Sequence, residues 1–111
     1  MARFVAIGNG DREGYDRTDP SVRGAAHEHD EKLRRHGAVM GIAGSPVQVR
    51  NPDGSRSKRA KAPTLNSSLP VAGFALIEAE SLEEAMRIVA GTPCAVAHGV
   101  VEVWPLDDPS P

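Results

Sequence analysis

Short apolar segments alternate with two helical patterns along the chain. The segments at 3–8, 38–43, 71–79 and 99–104 are of strand length, and each ends at glycine, proline or polar residues. Such bounded apolar runs are typical of buried strands. The pattern therefore predicts strand, helix, strand, an insertion, strand, helix and strand, in that order, with loops at 9–19 and 63–70.

The first helix is predicted to begin at Asp19-Pro20 and to end at Gly37. Asp19 can accept from the free N–H groups of the first turn, and a proline there loses no hydrogen bond. Glycine is the usual residue just past a helix end. At 100° per residue, the following residues share one weakly apolar face: Val22, Ala25, Ala26, His29, Leu33 and His36.

The second helix is predicted over 82–90. Ser81 and Glu84 form a capping box, in which the hydroxyl accepts from the third N–H and the glutamate reaches back. Gly91 is expected to cap the helix, and Pro93 prevents its continuation. Residues at i, i+3, i+4 and i+7 spacing form its predicted buried face: Leu82, Ala85, Met86 and Val89.

The insertion is predicted to be an exposed hairpin. Residues 47–50 alternate apolar and polar, 51–54 read Asn-Pro-Asp-Gly, and 55–61 return or trail as loop. Its basic residues either form a solvated edge that discourages strand pairing or steer an anionic ligand. They are Arg50, Arg56, Lys58, Arg59 and Lys61.

The element order predicts an α+β fold of the ferredoxin-like βαββαβ type with an inserted hairpin. Residues 1–106 form one domain in this interpretation, and 107–111 form a flexible acidic, proline-rich tail. Two helices on one face of the sheet leave a valine-rich face uncovered. A second copy of the chain is the economical cover, so we expect a homodimer.

Composition narrows the class of protein. The chain has 111 residues and a net charge of -2, which fits one domain and argues against a general nucleic-acid binder. No apolar run approaches the roughly 18 residues of a membrane helix, and the N-terminus shows no secretory signal. One cysteine cannot form an internal disulfide. A cytoplasmic protein is expected.

The second half of the chain contains a distinctive strand, helix start and closing strand. They read Gly73-Phe74-Ala75-Leu76-Ile77-Glu78-Ala79, Ser81-Leu82-Glu83-Glu84-Ala85 and Gly99-Val100-Val101-Glu102-Val103-Trp104-Pro105-Leu106. In these residues the chain resembles the YCII-related (YciI-like/DGPF) domain family. The resemblance implies a dimeric α/β barrel. Some YciI-like members are associated with removal of chloride from chlorinated hydroquinones.

Two family features are altered in this chain. Pro63 falls on the proline of the Asp-Gly-Pro-Phe motif, but the surrounding residues 61–68 read Lys-Ala-Pro-Thr-Leu-Asn-Ser-Ser. The family places a histidine on the first helix, paired with an aspartate as a proposed active-site dyad. Ala26 occupies that position here, and His27 and His29 flank it.

His29, His27 and Asp30 are the candidate catalytic residues. A neutral imidazole near pH 7 can act as general base if a cleft tunes it, and Asp30 is a possible partner. A core histidine that only donates to a backbone carbonyl fits the position of His29 equally well. Arg3 and Arg50 are the candidate ligand-binding residues, which would hold an anionic group in a cleft between the first helix and the sheet.

Two functions fit these residues. One is a small cytoplasmic dimer that binds a small anionic or phenolic molecule. The other is an enzyme of lyase or dehalogenase type that uses a helix-one histidine as acid or base. No metal is expected, because His27 and His29 point to different sides of a helix. No cofactor is expected either. Cys94 is expected to be a buried, inert thiol rather than a nucleophile.

Overall fold

The computed structural model of the chain describes residues 2–50, 58–60 and 69–106. The strands are β1 (Ala2–Asn9), β2 (Val39–Ile42), β3 (Gln48–Arg50), β4 (Lys58–Ala60), β5 (Val71–Ala79) and β6 (Val100–Leu106). The helices are α1 (Arg12–Asp16), α2 (Pro20–Arg35), α3 (Leu82–Val89) and α4 (Pro93–Val96).

Four strands form one antiparallel sheet in the order β2-β5-β1-β6. β1 lies at its centre and pairs with β5 from Ala2↔Ala79 onward and with β6 from Arg3↔Leu106 onward. This order, with α2 and α3 as the crossover helices, is ferredoxin-like. The predicted α+β class and ferredoxin-like arrangement are therefore confirmed.

A separate two-stranded ladder joins β3 to β4, with Gln48 opposite Ala60 and Arg50 opposite Lys58. Residues 51–57, which carry the predicted turn, lie outside the described residues, as does the predicted tail at 107–111. No helix in the described part of the chain is long and apolar enough to cross a bilayer.

The ends of α2 follow the local sequence. Asp19 Oδ1 accepts from the Ser21 N–H at 2.9 Å, which satisfies a donor of the first turn. At the other end, Gly37 adopts a φ of +100°. Its N–H donates to Arg34 and that of Ala38 donates to Leu33, both at 3.0 Å. This is a Schellman motif, so the predicted glycine stop is confirmed.

The ends of α3 differ in part from the prediction. Ser81 Oγ accepts from the Glu84 N–H at 3.1 Å, as expected, but the Glu84 side chain accepts from Glu80 rather than Ser81. Gly91 does not cap the helix in a left-handed conformation, because Gly37 is the one glycine with positive φ among the described residues. A Cβ on Gly91 would lie 3.0 Å from His29 Cδ2, so glycine is present to admit that ring.

The closed part of the core lies between α3 and the centre of the sheet. Half of its residues are alanines, and these small side chains allow helix and strands to approach closely. They are Phe4, Ala6, Ile77, Ala79, Ala85 and Val89.

The opposite face of the sheet is apolar and exposed. Residues that alternate with the core positions point to this side. Val39, Leu76, Val5 and Trp104 form one row across the four strands. Val39 is 69% exposed, Trp104 is 53% exposed and Phe74, in the next row, is 50% exposed.

Candidate ligand-binding cavity

A cavity of about 570 Å³ lies between α2 and the sheet. Its floor is formed by small residues of the central strands, among them Ala6, Gly8, Gly73 and Ala75. α2 packs mainly against α4 rather than down on the strands, which leaves the space open. The volume lies within the range typical of small-molecule sites.

Leucine, methionine and valine side chains line the walls, and polar groups collect at one side. Leu33, Met40, Ile77 and Val89 are among the larger apolar lining residues. The polar lining residues come from the segment around α1 and from α2. They are Asp11, Arg12, Tyr15, His27, Asp30 and Arg34, with Thr92 from the start of α4.

Tyr15 and His27 form the best-defined polar contact of the cavity. The Tyr15 hydroxyl is hydrogen-bonded to His27 Nε2 at 2.7 Å, and the two rings meet edge to face. The Arg23 guanidinium lies 4.9 Å from the centre of the Tyr15 ring, a cation–π distance. These contacts fix the phenol at the rim of the cavity.

The short helix α1 places Tyr15, and the sequence predicted a loop at this position. Asp11 Oδ1 caps α1 by accepting from the Gly14 N–H at 2.9 Å. A Cβ on Gly14 would come within 2.6 Å of the Ala97 carbonyl oxygen, so glycine allows α1 to dock closely beside α4. A helix of five residues is too short to show a hydrophobic period. The Asp11 cap and Gly14 were the available signals.

Asp30 carries a buried carboxylate oxygen that none of the described residues satisfies. Its Oδ1 is buried, and no hydrogen bond reaches it from any residue that the structure describes. Burial raises the pKa of this carboxyl above its usual range, while the charges of Arg34, His29 and His27 act in the opposite direction. An acceptor-only group in a mainly apolar cavity is a natural ligand contact.

His29 does not line the cavity. Its Nε2 donates to the Ile88 carbonyl at 2.6 Å, and the ring lies against Gly91 at the end of α3. His29 is therefore a histidine that donates to a backbone carbonyl, the second of the two interpretations that its sequence position allowed. The inward face of α2 is also rotated from the predicted one, because Ala26 is its one buried residue while Val22 and His36 are exposed.

Of the two predicted arginines, Arg3 does not line the cavity. Arg3 is exposed on β1, on the sheet face opposite the core, where it pairs with Glu78 of β5. Alternation along the strand puts Arg3 on the other side from the floor residues Ala6 and Gly8. The side chain of Arg50 lies outside the described residues. The arginines that do line the cavity are Arg12 and Arg34.

Cys94 closes the inner end of the cavity. A Cβ on Gly8 would lie 2.7 Å from Cys94 Sγ, so this glycine makes room for the thiol. Burial raises the pKa of Cys94, and the negative charge of Asp30 adds to the effect. The thiol is therefore neutral at physiological pH and poorly suited to nucleophilic attack. Within the described ranges, no group of three or more potential metal ligands occurs.

The comparisons with known proteins show no family for this chain. No family model matches the chain, and no curated protein matches it. One similar solved structure is the 5-chloro-2-hydroxyhydroquinone dehydrochlorinase TftG from Burkholderia phenoliruptrix AC1100, in complex with 2,5-dihydroxybenzoquinone. The alignment covers 92% of each chain at 15% identity, with a TM-score of 0.46. A likeness of this degree carries no argument about activity.

Proposed function

We propose that the chain is a YCII-related, cytoplasmic homodimer that binds a small anionic or phenolic molecule in the cavity between α2 and the sheet. The observation that carries the binding function is the cavity of about 570 Å³, with its apolar floor and its polar rim. The family assignment is supported by the residues at 73–79, 81–85 and 99–106, which match the family pattern in type and order.

The shape of the floor supports a flat ligand. Gly8, Gly73, Ala6 and Ala75 leave one stretch of the central strands without large side chains. The hydrogen-bonded pair of Tyr15 and His27 supplies polar atoms at the rim. Few oriented polar groups in a mainly apolar cleft are typical of small-molecule sites.

Filling the floor tests the binding site. Phenol and benzoate would be titrated into labelled protein, and amide shifts would be followed by NMR. We expect both probes to shift residues of α2, β1 and β5, and Ala75→Leu to abolish the shifts. Ala2→Leu, the same change at an exposed position of the sheet, is the matched control. Absence of shifts at millimolar probe, or shifts that Ala75→Leu leaves intact, would contradict the proposal.

A second candidate function is an enzyme of lyase or dehalogenase type, favoured by the 2.7 Å contact between His27 and Tyr15 at the cavity. In an elimination of hydrogen chloride, His27 takes a proton from the substrate, the electrons of the broken bond to hydrogen form a new π bond, and chloride leaves with the electron pair of the C–Cl bond. Chloride release from a chlorinated hydroquinone would measure it. His27→Gln should abolish release and His36→Gln, on the exposed side of the same helix, should not. No release by the wild-type protein would exclude this substrate.

The homodimer is supported by the exposed apolar face of the sheet. Val39, Phe74 and Trp104 are each at least half exposed on that face, and continuous apolar surface of this kind is typical of an interface. Light scattering after size exclusion would give the mass in solution. We expect a dimer that Trp104→Arg converts to monomer and Val22→Arg, on exposed α2, does not. A monomeric wild-type protein would contradict the proposal.

A further inference from the structure

We infer that Asp30 is the ligand-recognition group of the cavity, and that the cavity takes neutral molecules with an O–H or N–H donor in preference to anions. The inference rests on the proposed function, because it assumes that a small molecule enters the cavity. It narrows the ligand class that this function leaves open.

The Asp30 carboxylate has one oxygen that accepts no hydrogen bond from the described residues. Asp30 lies on the cavity side of α2, and its Oδ1 has no donor within the described ranges. The terminal torsion of aspartate is soft, so a small rotation turns either oxygen toward the cavity. Buried acceptors are satisfied in most proteins. A ligand donor would satisfy this one.

The other groups of the cavity that can accept a hydrogen bond already make one, whereas Arg12 and Arg34 are donors and do not compete with Asp30 for a ligand O–H or N–H. Tyr15 and His27 share a hydrogen bond, and Asp11 accepts from the Gly14 N–H. Asp30 is therefore the carboxylate of the cavity that retains its full capacity to accept. A ligand carboxylate brought beside it would place two like charges together in a partly desolvated site, which disfavours binding.

The two ligand classes predict opposite pH dependence. A donor ligand stabilises the ionised form of Asp30, so its binding strengthens as the pH rises through the pKa of Asp30. An anion binds better to the protonated form, so its binding weakens over the same range. Other charged and titratable groups are held constant by comparing variants at Asp30. Those that line the cavity are His27 and Arg34 on α2, Cys94 on α4, and Asp11, Arg12 and Tyr15 around α1, and His29 acts on Asp30 from outside the cavity.

Three probes with the same ring separate the possibilities. Benzyl alcohol has a neutral donor, benzyl methyl ether lacks it, and benzoate is an anion. Affinities would be measured by NMR titration from pH 4 to 8. We expect the alcohol to bind about tenfold more tightly than the ether, the order of effect of one hydrogen bond to a charged group. Its affinity should rise with pH, and that of benzoate should fall.

Variants at position 30 assign the effect. Asp30→Ala should weaken alcohol binding about tenfold, leave the ether unchanged and strengthen benzoate. Asp30→Asn keeps an acceptor oxygen without a charge, so it should retain the alcohol preference and lose the pH dependence. Glu31→Ala, at the exposed neighbouring position, should change none of these affinities.

The outcomes distinguish the two proposals. If the alcohol, the ether and benzoate bind equally to wild-type protein and to Asp30→Ala, recognition by Asp30 is overturned while the binding cavity stands. If no probe binds at any pH, both proposals fall. If benzoate binds best and Asp30→Ala weakens it, the ligand class is anionic and the inference is wrong.

Discussion

The two helices that cover the sheet close over it to different extents. Below α3, Ala85 and Val89 meet Phe4 and Ile77 in a closed core. Below α2, a cavity of about 570 Å³ remains. The inward side of α2 carries Asp30 and other polar residues, which are costly to press against an apolar sheet. The polarity of its inward face therefore decides whether a helix closes a core or covers a cavity.

α2 is held above the cavity by contacts at its sides. His29 joins it to the last turn of α3, and α4 packs along it. Tyr15 of α1 reaches His27 from the other side. α2 is thus held in place by α1, α3 and α4 rather than by direct packing on the strands.

The largest expected difference between the two regions is in the cost of deleting a side chain. Ile77 is 2% exposed in the closed core, whereas Ile42 is 93% exposed at the cavity edge of the same sheet. We expect Ile77→Ala to lower the free energy of unfolding by about 2–5 kcal/mol and Ile42→Ala by less than about 0.5 kcal/mol. Urea unfolding at one protein concentration measures both. Equal losses of unfolding free energy for Ile77→Ala and Ile42→Ala would contradict the difference between the closed core and the cavity edge.

Overpacking the inner end of the cavity should have the next largest effect. The Cβ of Gly8→Ala would lie 2.7 Å from Cys94 Sγ and 3.0 Å from its Cβ, so we expect a loss of about 1–3 kcal/mol. In a Cys94→Ala background the same change should cost about 1 kcal/mol less, since the sulfur is gone. Chemical denaturation of the four proteins gives this coupling, and additive costs would show that the two residues do not meet.

Removing the link between α2 and α3 should have a smaller effect. His29→Phe keeps a ring but leaves the Ile88 carbonyl without its donor, so we expect a loss of about 1 kcal/mol. His36→Phe, where the exposed ring contacts Lys32 of its own helix, should cost a few tenths at most. Thermal unfolding compares them. A larger loss of stability for His36→Phe than for His29→Phe would contradict a stabilising role of the contact between His29 and Ile88.

The smallest effect is a pH dependence at Asp30. Since burial raises the pKa of Asp30 in the folded state, its contribution to stability is fully present below the pKa of the unfolded chain and is lost as the pH rises through the folded pKa. Asp30→Asn removes this titration, so its stability relative to wild type should increase as the pH rises from about 3.5 to about 7. Melting temperatures at each pH test the sign. A relative loss over that range would mean that Asp30 is stabilised as an anion.

Part of the candidate site was predictable from residue types. Asp30 and His27 were recognised because ionisable residues stood on an otherwise weak amphipathic helix. Their grouping with Tyr15 was missed, because it depends on α1, an element too short to have a period. The roles of His27 and His29 depended on a rotation of α2 by less than one residue step, which its weak apolar stripe does not specify.

The local sequence determined where the main elements begin and end and how they pair. The Asp19 cap, the left-handed Gly37 and the Ser81 hydroxyl act within a few residues of themselves, and the apolar runs of β1, β5 and β6 select the sheet. Only the tertiary structure decided that α2 stands off the strands and that His29 turns to α3. Those outcomes depend on packing between residues distant in sequence, such as His29 against Gly91. Local sequence patterns do not predict such contacts.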